Sequence, residues 1–328
     1  MRILLDCRPF QKEEASSETT WFLISCIKSL AASYGVAWVF LLDKGGRDLS
    51  LPAVGEQFFY KTLPGRWGDK LWYGWLIPRA IKRSKADRVM FPDGRKVRPT
   101  KTPFCSWMVT REGLTLVCHG RSIGVLLAPD EKVRPLPPAE RDQTKGAVAG
   151  GKEYFFADVS GLGASKVMDL LKAFSLFKKR QLSNMKLVLA GTGSIDKLDS
   201  YKYREDICLY PGKENNQLEG AYALIYMPRR DDPGIGVLNA WRAKVPVILL
   251  TDGPGALQEG WAGEAVVQVR SGDITSLAEA LKSLYKNEDL RKGLIEKGEL
   301  RVSGLDIRRS AAAIWDVLGK EMGSNHEN

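Results

Sequence analysis

The sequence predicts an α/β protein built from two doubly wound, Rossmann-like parallel-sheet domains facing one another across a cleft. Three observations carry that expectation. Short apolar runs alternate with longer stretches of helical spacing along almost the whole chain, the rhythm of parallel strands joined by crossover helices. The rhythm breaks once, over 130–152, where Pro135, Pro137, Pro138, Gly146, Gly150 and Gly151 cluster as in a domain linker. The length, 328 residues, suits two domains.

Strands are expected at Arg2–Leu5, Val36–Leu42, Phe58–Lys61, Arg88–Phe91, Pro103–Val109 and Ile123–Leu127. Between them, Thr19–Ala32 has helix spacing through Phe22, Cys26, Ile27 and Leu30. A second helix is expected over Asp69–Lys85, ended or kinked by Pro78. After the break, strands are expected at Tyr154–Val159, Lys186–Ala190, Ile207–Tyr210, Ala223–Met227, Val245–Leu250 and Ala265–Val269. Their helices are Ser165–Arg180, Gly236–Ala243, Ile274–Lys286 and Leu290–Arg301, with a last one near Ile307–Lys320. The expected division is therefore 1–135, a linker 136–151, 152–305, and a C-terminal helix and tail 306–328 that packs back on the first domain.

Composition excludes several classes. Hydrophobic residues make up 44% and charged residues 27%, ordinary for a globular chain with a sizeable core. Arg2 and Asp6 interrupt the first apolar residues, so no secretory leader is expected, and no apolar run is long enough for a spanning helix. The five cysteines, Cys7, Cys26, Cys105, Cys118 and Cys208, are odd in number and form no C-x-x-C pair. They read as reduced, mostly buried thiols of a cytoplasmic protein. Two histidines, His119 and His326, do not make a metal site. Lys and Arg outnumber Asp and Glu by 49 to 39, a formal charge of +10 that points to acidic partners.

Specific stretches resemble a known family. Gly151–Phe156 (GKEYFF), Leu170–Lys178 (LLKAFSLFK), Lys186–Gly191 (KLVLAG), Ala221–Pro228 (AYALIYMP), Val245–Ile248 (VPVI) and Ser276–Leu281 (SLAEAL) resemble the C-terminal half of glycosyltransferase family 4 (group 1). Met1–Phe10 (MRILLDCRPF) and Ala86–Gly94 (ADRVMFPDG) resemble its N-terminal half. The resemblance implies the two-domain GT-B fold and a retaining transfer of sugar from a nucleotide-sugar, UDP- or GDP-linked, as substrate. It implies no further cofactor and no metal.

Checked residue by residue, the family's motifs are altered. Its Glu, seven residues, then Glu, falls on Asp231 and Asn239. Asp231 is one methylene shorter and would contact the donor sugar. Asn239 keeps an acceptor for the ribose but loses the charge, a difference of about 1–2 kcal/mol. Gly234, Ile235 and Gly236 would let a diphosphate approach a helix N-terminus; the plain alternative is a loop-to-helix turn with an Asp cap. The family's Arg-Lys clamp falls on Ala164-Ser165, leaving Lys166 one position late, either a phosphate ligand or a solvated lysine. Gly161 and Gly163 form neither a P-loop nor a full dinucleotide fingerprint. In the N-terminal half, Gln11–Glu18 replaces a glycine-rich loop with three acids, and the usual His-Asp pair falls on Val109-Thr110. Between Thr110 and Ile123, and again near Gly191–Tyr201, the chain is shorter than the family pattern.

Basic residues cluster at Arg79, Lys82, Arg83, Lys85, Arg88, Arg95, Lys96, Arg98 and Lys101, opposed by Asp87 and Asp93 and preceded by Trp67, Trp72 and Trp75. Tryptophan beside Lys and Arg over 67–101 suits an anionic membrane surface. The alternative is that the aromatic residues pack a helix onto the sheet under a solvated basic face. No nucleic-acid reading element accompanies the charge. Two functions follow. One is a cytoplasmic glycosyltransferase, peripheral on the inner face of the membrane. The other is a catalytically inactive pseudo-glycosyltransferase with a protein partner.

Overall fold

The computed structural model describes residues 1–11, 17–46, 49, 51–61, 66–92, 102–110, 113–118, 121–191, 195, 198, 201–212, 216–229, 232–251 and 262–320. Two compact units divide the chain: Met1–Ala128 with Leu305–Asn328, and Pro129–Gly304.

The first unit contains β1 (Arg2–Asp6), α1 (Arg8–Gln11), α2 (Ser17–Tyr34), β2 (Ala37–Asp43) and β3 (Gly55–Tyr60). There follow α3 (Arg66–Leu71), a π turn at Trp72–Leu76, α4 (Ile77–Ser84), β4 (Arg88–Phe91), β5 (Phe104–Thr110), β6 (Gly113–Cys118) and β7 (Arg121–Val125). The sheet order is β3-β2-β1-β4-β5-β6-β7. The first five strands in this order are parallel, whereas β6 runs antiparallel to both β5 and β7. This corrects the all-parallel expectation. Residues 110–123 hold β6 rather than a bare connection, and the connections flanking β6 are far too short for a parallel crossover.

The hairpin also corrects the thiol assignment. Cys105 and Cys118 face one another in the β5–β6 register, with Cα atoms 4.4 Å apart, and form a disulfide. Without β6 in view, the sequence separates these cysteines. Cys7, Cys26 and Cys208 are free. Burial pushes the Cys7 thiol well up, with the neighbouring Asp6 carboxylate adding to the effect, and burial alone does so for Cys26. Neither is a thiolate nucleophile at neutral pH.

Pro78 does not end the helical segment, which runs on through α4 to Ser84. The Ile77 N–H donates to Trp72 O, a five-residue bond, just before the proline. Pro78 thus sits in the first turn of α4, where its missing N–H removes no interior bond. The extra residue keeps Trp72, Leu76, Ile77, Ala80 and Ser84 facing the sheet.

The second unit contains α5 (Pro138–Ala149), β8 (Tyr154–Asp158), α6 (Ala164–Gln181), β9 (Lys186–Ala190), β10 (Ile207–Tyr210) and β11 (Ala223–Tyr226). It continues with α7 (Ile235–Arg242), β12 (Val247–Thr251), β13 (Val267–Arg270), α8 (Ile274–Lys286) and α9 (Glu288–Val302). Its sheet, β10-β9-β8-β11-β12-β13, is parallel throughout. The segment 136–151 contains α5: Pro138 opens the helix and Gly150, at φ +59°, closes it in the left-handed conformation. The proline–glycine cluster is helix punctuation. The core joins Phe155, Leu187, Leu189, Ile225 and Ile248 of the strands to Leu170, Phe174, Phe177, Leu277 and Leu281 of α6 and α8.

The last helix, α10 (Ile307–Lys320), belongs to the first unit. Trp315 stacks on Tyr34 of α2 at 4.8 Å, and the Ser310 hydroxyl donates to Leu126 O.

Helix α7 is placed from behind by α9. Trp241 donates its indole N–H to Ala265 O at 3.2 Å, and its ring lies where a Cβ on Gly298 would come within 2.3 Å. Gly298→Ala should therefore push α9 off α7 and destabilise the protein by about 2 kcal/mol, read from denaturant midpoints; an unchanged midpoint contradicts this packing. In denaturant without reductant, a thiol-alkylating reagent should add to three of the five cysteines, counted by mass; five additions contradict the disulfide.

Candidate functional site

In the second unit the strand order reverses between β8 and β11. Loops leaving the carboxyl ends of such strands diverge and open a crevice, the usual ligand position in an open α/β sheet. The β8 loop is tightly built. Asp158 Oδ1 accepts from the Ser160 N–H at 2.9 Å and from its hydroxyl, and Val159 N–H reaches Ala190 O at 2.9 Å. Gly161 takes φ +67° and Gly191, after β9, φ +83°. A Cβ on Gly191 would lie 1.8 Å from Ser160 Oγ and 2.7 Å from its N, so glycine there lets the two loops touch.

From the other side comes Arg229. Its Nη2 meets Asp158 Oδ2 at 3.2 Å, with the two side chains 22% and 17% exposed. The arginine also lies over Gly161, its Nη1 3.9 Å from where a Cβ would stand. The β11 loop then closes: Asp232 N–H donates to Arg229 O, and Asp232 Oδ1 accepts the Gly234 N–H at 2.9 Å. Gly234, at φ +95°, opens α7. Asp232, 3% exposed, thus places a carboxylate at a helix N-terminus, where the dipole favours it.

The residues singled out from sequence separate into four places. Gly161 lies beside Arg229, and Gly163 precedes the first turn of α6. Gly234, Ile235 and Gly236 form the buried start of α7. Lys166, half-buried in the first turn of α6, lines a hollow with Asp169, Arg270 and Asp273 near the end of β13. Asn239 is buried, and its Oδ1 accepts the Asp130 N–H at 2.7 Å; Arg242 Nε similarly donates to Val133 O. Together they tie the segment before α5 to α7. Asp231 and His119 lie outside the described residues.

Sequence reasoning missed Asp158, Arg229 and Asp232. The signal for Arg229 was its position just past the Ala221–Pro228 stretch. That β8 and β11 are neighbours, however, shows only in the sheet order.

The first unit has its own reversal, between β1 and β4, and fills that place with its own side chains. Asp6 Oδ1 accepts from Trp72 Nε1 at 3.1 Å and from Arg8 N–H at 3.2 Å. The Arg8 guanidinium lies over Trp72 and Tyr73, with Nη2 2.8 Å from Asp69 Oδ1. Gln11 clamps Asp43, donating to its carbonyl at 2.9 Å and accepting its N–H at 2.8 Å. Val109 and Thr110 are strand residues of β5, paired with Leu114 and Gly113. Among the described residues, no group of three or more His, Cys, Asp or Glu side chains could hold a metal ion.

Residues 141–301 match the family model for glycosyl transferases group 1. The match begins within α5, ends in α9 and spans both loops of the crevice. Similar solved structures cover nearly the whole chain. WaaG, a glycosyltransferase involved in lipopolysaccharide biosynthesis, is 13% identical with a TM-score of 0.71 over 97% of this chain and all of its own. The sucrose-phosphate synthase of Thermosynechococcus elongatus is 9% identical with a TM-score of 0.69, over 99% of this chain and all of its own. Anabaena HepE, in complex with UDP and glucose, is 10% identical with a TM-score of 0.66, over 97% of this chain and 99% of its own. Comparison of the sequence with curated proteins finds no match. The fold is GT-B, with a mixed first sheet and a parallel second one.

Gly191→Ala should force the β8 loop away from β9 and lower stability by about 2 kcal/mol or more. Thermal unfolding checks this: a melting temperature within about a degree of the parent contradicts the loop contact.

Proposed function

We propose that the second unit binds the diphosphate of a nucleotide-sugar between the β8 and β11 loops. The protein then transfers the sugar, with retention and without a metal, to an acceptor. The observation that supports this reading is Arg229, a partly exposed cation over the left-handed Gly161 turn at the sheet's switch point. A diphosphate leaving water needs compensating positive charge and N–H donors. Arg229 would supply the first, and the N–H groups of Ile235 and Gly236 at the start of α7 would supply the second. In transfer, negative charge grows on the departing phosphate, which a guanidinium already in place would stabilise. Asp231 would contact the donor sugar. Asn239 would offer the ribose its amide N–H groups, since its carbonyl is taken by Asp130. Lys166 would add a second cation near the first turn of α6. The HepE structure holds UDP and glucose, which makes UDP the first nucleotide to try; GDP is the other. On this reading the protein would act in the cytoplasm, against the inner face of the membrane.

A second reading has its own support. Asp158 engages Arg229, Asp232 holds the Gly234 N–H and Asn239 serves the fold. These carboxylates stand where a donor's phosphate would need room, as in a pseudo-glycosyltransferase retained as a scaffold or regulatory partner. Isothermal titration with UDP, GDP and their sugar conjugates separates the two. The enzyme reading expects submillimolar binding, weakened about tenfold or more by Arg229→Ala and also by Lys166→Ala and Asp231→Ala. No heat at millimolar nucleotide supports the scaffold and overturns the enzyme reading.

A further inference from the structure

The chain's positive charge is concentrated in one segment. Residues 66–101 contain eleven Lys and Arg and three Asp, a net of +8 in a chain whose total is +10. The described part of this segment shows how the charge is displayed. Helix α4 turns Ile77, Ala80 and Ser84 to the core and exposes Arg79, Lys82 and Arg83. The π turn before it separates two tryptophans, burying Trp72 completely while leaving Trp75 53% exposed.

Two arginines of the exposed face stand over rings, Arg79 over Trp75 at 5.3 Å and Arg83 over Phe58 of β3 at 4.9 Å. The nearby acids are engaged away from this face. Asp69 pairs with Arg8 at 2.8 Å, and Asp87 accepts the Arg2 N–H at 2.7 Å. Among the described residues, no carboxylate pairs with Arg79, Lys82, Arg83 or Lys85.

We propose that this face, Trp75 with Arg79, Lys82, Arg83 and Lys85, docks the first unit on an anionic lipid surface. An exposed indole beside exposed cations matches the headgroup region, where the ring sits among glycerol groups and the cations meet phosphate. No described helix is long and apolar enough to cross a membrane, so the contact is peripheral. A packing role for Trp75 does not account for half its surface lying open. The docking face belongs to the first unit and needs no nucleotide, so it stands or falls apart from the donor site.

The test is sedimentation of the full chain with vesicles of phosphatidylcholine containing about one-third phosphatidylglycerol, in about 0.1 M salt. Binding should occur there, vanish on pure phosphatidylcholine and weaken as salt rises. Each basic residue near such a surface is worth about fivefold in affinity. The triple substitution Arg79→Gln, Lys82→Gln, Arg83→Gln should therefore weaken binding about a hundredfold, and Trp75→Ser about tenfold. Neutralising Lys152, Lys179 and Lys292, exposed residues of the second unit, should change it little. Circular dichroism should be unchanged in every variant, because all of these side chains face solvent. Absence of binding to anionic vesicles, equal loss in the control variant, or duplex DNA bound as tightly as the vesicles would each overturn the proposal.

Discussion

In the second unit, the reversal of strand order between β8 and β11 is the constraint on which the site depends. Two loops leave the same sheet edge and diverge, and Arg229 spans the opening to reach Asp158. Backbone geometry fixes both ends. On one side Gly161 and Gly191 take positive φ so that the β8 loop can lie against β9. On the other, Gly234 takes φ +95° and Asp232 holds its N–H. Behind them, the contact of Trp241 with Gly298 sets how far α7 stands from α9. The chemistry of the crevice thus rests on a few glycines chosen for close approach.

The Arg229–Asp158 pair bears on both functional readings, and its size decides how. Both side chains retain roughly one-fifth of their exposure, and ion pairs that solvent reaches contribute about 1 kcal/mol or less. A charge-assisted bond to phosphate is worth about 1.5–3 kcal/mol. A diphosphate would therefore have enough to gain to take Arg229 from Asp158, and the pair would hold the guanidinium over Gly161 until then. What resists the exchange is the repulsion of Asp158 and Asp232, which stay in place. The balance between these terms separates a donor site from a remnant of one.

Much of this architecture was legible in the sequence, because apolar runs and helical spacing are local signals. Lys186–Ala190, Ile207–Tyr210 and Arg88–Phe91 have the bounds read from the chain. What escaped was non-local or ambiguous. Strand β6 is a short apolar run close in sequence to both its neighbours, so neither its antiparallel pairing nor the Cys105–Cys118 bond was visible. Prolines 137 and 138 with Gly150 signal a linker or a capped helix equally well until α5 is seen packed in its unit. The family resemblance pointed to Asp231, which lies outside the described residues, and to Asn239 within α7. Hydrogen bonding shows Asn239 holding the segment before α5, with Arg229 and Asp232 in the β11 loop's structural positions. Pairing across a sheet and competition for one hydrogen-bond acceptor are facts of three dimensions, and no spacing rule encodes them.

The most direct test of the donor site is a crystal structure of the protein grown with UDP. The account predicts diphosphate density between the β8 and β11 loops, with an oxygen within about 3 Å of the Arg229 guanidinium. Asp158 should be released from its pair with Arg229. Nucleotide bound elsewhere on the chain, or bound with the Arg229–Asp158 pair still closed, would contradict it.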